Sequence, residues 1–132
     1  MRLIITLAAA AAALLSAGTA QAASFTCPAT LDSDATSGGQ PQTFKFRYVS
    51  FFDGDPEELA DLAPEELPNA DKLAQRWEFV RTKGRPIVMI CRYHGTQQTV
   101  RKEVPANIKE CRLEGTIDAK GEIQGSPTLT CK

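Results

Sequence analysis

The sequence predicts a mainly β fold, with α+β as the nearest alternative: one small antiparallel sheet, one short helix and disulfide staples. Three observations carry this. Apolar and polar residues alternate in several short runs. Gly and Pro punctuate those runs at close spacing. Four cysteines, Cys27, Cys91, Cys111 and Cys131, all lie beyond an apolar leader.

The leader comes first. Met1-Arg2 is a short positive end, Leu3 to Leu15 is apolar except for Thr6, and the segment closes on Ala20-Gln21-Ala22. That order of charge, apolar run and small-residue cleavage site describes a secretory signal. The apolar run falls short of the roughly 20 residues that a spanning helix needs. Residues 1–22 are therefore expected to be a cleaved signal peptide, and 23–132 a single periplasmic domain. No later stretch has the length to cross a bilayer, so no membrane contact is expected after cleavage.

Asp32 to Gln42, rich in Ser, Thr, Gly and Asp, reads as a loop. Thr43 to Phe51 alternates, with Phe44, Phe46 and Tyr48 on one side and Lys45 and Arg47 on the other, as a half-buried strand does. Asp53-Gly54-Asp55-Pro56 breaks it. Asp55 can cap a helix, Pro56 suits its first position and Glu58 can bond back, so Glu57 to Leu62 is expected to be a short helix. Pro64 ends it.

Arg76 to Val80 reads as the next strand, with Trp77 and Phe79 on one face. Ile87 to Tyr93 is the most hydrophobic stretch beyond the leader and the candidate central strand. His94-Gly95-Thr96 turns the chain, and Gln98 to Val104 runs back. Asp118-Ala119-Lys120-Gly121 is a hairpin turn between Arg112–Ile117 and Glu122–Gln124. Thr128 to Cys131 adds a last short strand.

Beyond Ala22, 14 basic residues face 16 acidic ones, for a net charge of −2. A nucleic-acid binder would show a net basic patch or stripe, so none is expected as partner. An even number of cysteines in an oxidising compartment predicts disulfides. Three connectivities are possible. We favour Cys27–Cys91 and Cys111–Cys131, the second closing the C-terminal hairpin. No C-x-x-C pair occurs and His94 is the only histidine, so neither a zinc site nor any other cofactor is expected.

At Cys91 the string Cys-Arg-Tyr-His-Gly-Thr joins Cys27-Pro28, Trp77, Val104-Pro105 and Cys111 in one layout. That layout resembles a largely uncharacterised family of small exported proteobacterial proteins, whose pattern is C-P, W, C-x-Y-x-G-T, L/V-P and a further Cys. Some members are encoded beside type VI secretion genes. The resemblance implies an immunity protein that shields the periplasm from wall-degrading effectors.

The candidate site residues follow. Asp53, Asp55, Glu57 and Glu58 open an acid-rich stretch without Lys or Arg, able to steer a basic partner. Asp53, Asp55 and Glu57 alternate as calcium-loop ligands do, but no metal is expected, because Glu58 and Pro64 stand where a calcium loop needs Gly and Glu. Phe51 and Phe52 point to opposite faces of a strand, so one of them, Phe52 in our choice, is expected to be exposed beside the acids. His94 lacks any nucleophile signature and reads as a turn residue, though His94 to Gln98 forms a second candidate surface. Lys83, Arg85, Arg92, Arg101 and Lys102 read as a solvated strand face with cross-strand charge balance.

The expected function is non-enzymatic: a binding protein whose preformed loop plugs a secreted lytic enzyme or toxin. The alternative is a structural or small-ligand-binding envelope protein, with an apolar cavity between sheet and helix.

Overall fold

A computed structural model describes residues 24–33, 39–68 and 72–132. The expected signal peptide, and the centre of the Asp32–Gln42 loop, lie outside the described residues. Eight strands form: β1 (Thr30–Ser33), β2 (Gln42–Asp53), β3 (Glu65–Glu66), β4 (Lys72–Glu78), β5 (Ile87–Tyr93), β6 (Thr99–Glu103), β7 (Glu110–Ile117) and β8 (Ile123–Cys131). They make two four-stranded sheets, ordered β1-β2-β5-β6 and β3-β4-β7-β8. Every pairing is antiparallel. The mainly β class holds, and the expected single sheet is divided into two.

The division follows from where the apolar residues point. Phe46, Val49 and Phe51 of β2 and Met89, Cys91 and Tyr93 of β5 share one core with Leu73 and Trp77 of β4, Cys111 and Leu113 of β7, and Leu129 of β8. Phe51 is the hinge of that core, with ring centroids 5.0 Å from both Trp77 and Phe79. Tilted aromatic pairs of this kind add about 0.5–1.5 kcal/mol each beyond area burial. Trp77 is 2% exposed, and its indole Nε1 donates to the Leu62 carbonyl at 3.0 Å. The largest side chain thus sits in the core and also ties down the chain returning from β2.

β5 is one of the two inner strands of its sheet, in keeping with the central position its sequence predicts. Its inner residues enter the shared core. Val88 and Ile90, on the outer face, make a second small cluster with Phe52. Phe52 is only 8% exposed, which corrects the expectation of an exposed aromatic. The reason is local. Phe52 faces Val88 across the strands, and the chain folds back to bridge Phe52 with Asp61.

The expected helix over Glu57–Leu62 is a 3-10 turn at Pro56–Glu58. The start signal works: Asp55 Oδ1 accepts from the Glu57 amide at 3.0 Å, and Pro56 holds the first position. Propagation fails, because Leu59 turns left-handed (φ 59°) and the following amides serve the sheet. The Leu62 amide donates to the Phe51 carbonyl at 2.8 Å. A few helical residues cannot outweigh that pairing, since nucleation costs more than one turn returns.

Both disulfides join as favoured from the sequence, Cys27–Cys91 and Cys111–Cys131. The second links register partners on β7 and β8. The first fastens the segment before β1 to the middle of β5, beside a hydrogen bond from Tyr93 Oη to the Pro28 carbonyl at 2.9 Å.

Candidate partner-docking surfaces

β2 and β5 run antiparallel, so the two candidate surfaces lie at opposite ends of the molecule. Asp53 ends β2 opposite Ile87. His94 follows the other end of β5, where its amide donates to the Lys45 carbonyl at 2.9 Å. From Phe46 to Asp53 the strand covers about 20 Å at the usual rise per residue. A compact partner cleft would meet one end, not both.

At the acidic end the sequence-predicted acids come together, and cations from other elements meet them. Arg85 Nη2 donates to Glu58 Oε2 at 2.7 Å and to the Asp53 carbonyl at 2.8 Å. Its Nε lies 3.5 Å from Asp53 Oδ1, an ion-pair distance too long for a close hydrogen bond. Glu58, ahead of the other acids, holds the Arg85 guanidinium more firmly in its charged form. Arg101 of β6 approaches Asp55 at 3.8 Å. Of the four predicted acids, Glu57 alone has no ion pair among the described residues. Gly54 (φ 89°) makes the clamp possible, because a Cβ there would collide with the Arg85 guanidinium. Leu59 and Val80 are exposed at this end, 82% and 87%. Single apolar side chains in solvent are ordinary for a protein surface.

The motif end is built differently. Phe46 pairs with Tyr93 while Tyr48 pairs with Arg92, so Arg47 is the extra residue of a bulge. A bulge re-aims a side chain out of strict alternation. Arg47 and Arg92 consequently line one cleft of about 440 Å³, closed by Gly95, Thr96, Gln97, Gln98 and Thr99. Gly95 (φ 81°) turns the chain there. Thr96 Oγ1 accepts from the Gln98 amide at 3.0 Å and fixes the loop.

His94 sits beside this cleft. Its Nε2 donates to the Gly125 carbonyl at 2.7 Å, since a carbonyl can only accept. The bond ties the β5–β6 turn to the β7–β8 hairpin. That hairpin is shaped by Asp118, whose Oδ1 accepts from the Lys120 and Glu122 amides at 2.8 and 2.9 Å. Arg47, Tyr48, His94 and Glu122 border an adjoining hollow of about 340 Å³. Tyr48 Oη donates to Gln75 Oε1 at 3.0 Å, and Gln75 Nε2 to Glu66 Oε1 at 2.6 Å, a polar chain from one sheet to the other. Burial is the main cause that pushes the Tyr48 hydroxyl above its ordinary range, against the lowering by Gln75.

The structure thus separates His94 from Asp53, Asp55, Glu57 and Glu58, and buries Phe52. Sequence reading passed over Arg47, because an uninterrupted alternation places it on a plain solvated face. Only the bulge brings it beside Arg92.

The fold and the two surfaces define a class: small, disulfide-stapled two-sheet β domains with a turn cleft at one end and a partly ion-paired acidic loop at the other. Comparison with known proteins makes this specific. The chain belongs to the Type VI secretion system Tli immunity protein family, whose model matches residues 40–132. The match spans β2 to β8 and so includes both ends. The chain is also similar to an uncharacterised 16.3 kDa protein from the trpG 5′ region of Azospirillum brasilense, 29% identical over 126 residues, 84% of each chain. No solved structure matches.

Proposed function

We propose that the chain is exported to the periplasm and neutralises a lytic type VI effector there by binding it, without chemistry of its own. Membership of the immunity family over residues 40–132 carries this reading. Two disulfides that leave no cysteine free fit an oxidising compartment. They also lower the ordering cost of binding, because the docking loop is rigid before the partner arrives.

The sequence favours the acidic Asp53–Glu66 segment first and His94 to Gln98 second; the ion pairs lead us to reverse that order and choose the motif end, with His94 and the Gly95–Thr99 loop. The acids Asp53, Asp55 and Glu58 spend their charge on Arg85 and Arg101, which leaves Glu57 as the unpaired member. Phe52, buried with Val88 and Ile90, offers no exposed contact to a partner.

The test is co-expression with type VI effectors directed to the periplasm, beginning with any encoded beside the gene. Peptidoglycan and phospholipid hydrolysis are read side by side, because the proposal requires an envelope-attacking enzyme of either kind. The full precursor is expected to restore growth, and a version lacking residues 1–22 is expected to fail. Equal protection by both versions would refute the periplasmic site of action, and protection by neither would refute neutralisation.

A further inference from the structure

We propose that the cleft between Arg47 and Arg92 receives acidic side chains, Asp or Glu, from a loop of the effector. The inference rests on the immunity reading and supplies the chemistry of the partner.

The observation is an imbalance of charge. Arg76, Arg85, Arg101 and Lys132 each meet a carboxylate. Among the described residues, Arg47 and Arg92 meet none, although the bulge sets both on one concave wall. Arg92 is oriented by its Nε, which donates to Ser50 Oγ at 3.3 Å. Its terminal nitrogens remain for a partner. Glu122 borders the adjoining hollow and makes no ion pair with Arg47.

Two guanidiniums on one cleft repel each other until an anion lies between them, and a planar carboxylate matches each fork in bidentate fashion. The remaining lining, Thr96, Gln97, Gln98 and Thr99, offers hydroxyl and amide groups to a polar ligand. A volume of about 440 Å³ admits one or two side chains of an inserted loop. An extended polyanion fits poorly, because the full chain carries a net charge of −1. Steering therefore has the opposite sign from the one that the acid-rich stretch implies. The effector's acids approach a local basic cleft, and the attraction weakens with salt.

The experiment uses the exported, disulfide-bonded protein and the purified type VI effector that it neutralises in the co-expression test. Arg47→Glu and Arg92→Glu are each expected to weaken binding about tenfold or more, and the double variant further, with unchanged circular dichroism. Glu57→Lys at the opposite end should leave affinity within about twofold. A compensating Asp→Arg or Glu→Arg change in the effector loop should restore binding to Arg47→Glu. As an effector-independent probe, an oligoglutamate peptide at low salt should shift the arginine side-chain NMR signals of Arg47 and Arg92. A folded double variant that binds like the wild type, or an oligoglutamate titration that leaves both arginines unmoved, overturns the inference. Wild-type protein that neutralises no effector in that co-expression sinks the immunity reading itself, which is a separate result.

Discussion

The two ends of the sandwich carry opposite lessons about charge. The acidic end holds the densest run of acids in the chain, yet Arg85 and Arg101 arrive from other elements and pair with three of them, Asp53, Asp55 and Glu58. The motif end shows no charge run in the sequence, yet two arginines separated by 45 positions share a cleft without a counter-ion. Charge that is dense along a chain is readily balanced in space. Charge that is sparse along a chain can be concentrated by one bulge.

Each end has its own staple, which gives the first and largest test. Cys27–Cys91 closes 64 residues and holds β5 close to the motif end. Cys111–Cys131 closes 20 residues at the acidic end. Chain-entropy scaling predicts a loss of about 4 kcal/mol for the first and about 3 kcal/mol for the second. Double Cys→Ser variants, unfolded in urea and followed by Trp77 fluorescence, should rank in that order. Effector binding should suffer more from loss of the first. The reverse ranking in binding would place the docking surface at the acidic end.

The next test loosens the acidic end alone. Gly54→Ala forces a Cβ into the Arg85 guanidinium and a non-glycine residue into φ 89°. A loss of about 1–3 kcal/mol is expected from the backbone strain. Binding of the effector should remain, since the Arg47–Arg92 cleft is untouched. A folded Gly54→Ala protein that no longer binds would reverse the assignment of the two ends.

These tests also mark what could be read in advance. β5 was legible because Ile87 to Tyr93 is apolar on both faces. The disulfide pairing was legible because Cys111 and Cys131 bracket a hairpin signal. The N-terminal half of the helix signal was legible in Asp55-Pro56, and its failure to propagate was not. That failure depends on the Leu62 amide finding Phe51, a tertiary contact. The Arg47 bulge was hidden for the same reason. Alternation of Phe44, Phe46 and Tyr48 is what a regular strand shows, and only pairing with β5 reveals the extra residue. Phe52 was misplaced because a sheet taken as one layer has an outer face open to water, whereas here the returning chain pairs over it.

A smaller effect separates the two loops of the motif end. His94→Ala removes the bond to the Gly125 carbonyl. The expected loss is about 0.5–1.5 kcal/mol, the ordinary net worth of one hydrogen bond. Amide exchange should quicken around Gly121 to Gly125 while Leu59 to Leu62 stay unchanged. Faster exchange at both ends would show that they are coupled.

The finest test is pH, because the ends respond in opposite directions. At the acidic end, the bond from Lys132 is the main cause that lowers the Glu110 carboxyl below its ordinary value. A depressed carboxylate contributes stability above the unfolded-chain value, and that contribution disappears as pH falls through the folded one. At the motif end, burial raises the Tyr48 hydroxyl. A raised group has the reverse sign: its contribution is complete below the ordinary tyrosine value and disappears as pH climbs through the folded one. Thermal unfolding across pH should therefore show Glu110→Gln flattening the acid limb of the profile and leaving the alkaline limb alone. Tyr48→Phe should do the opposite, and an ultraviolet titration of the wild type should show a late-ionising tyrosine. If either variant alters both limbs, the ends do not titrate independently, and the separation of the molecule into two electrostatic regions fails.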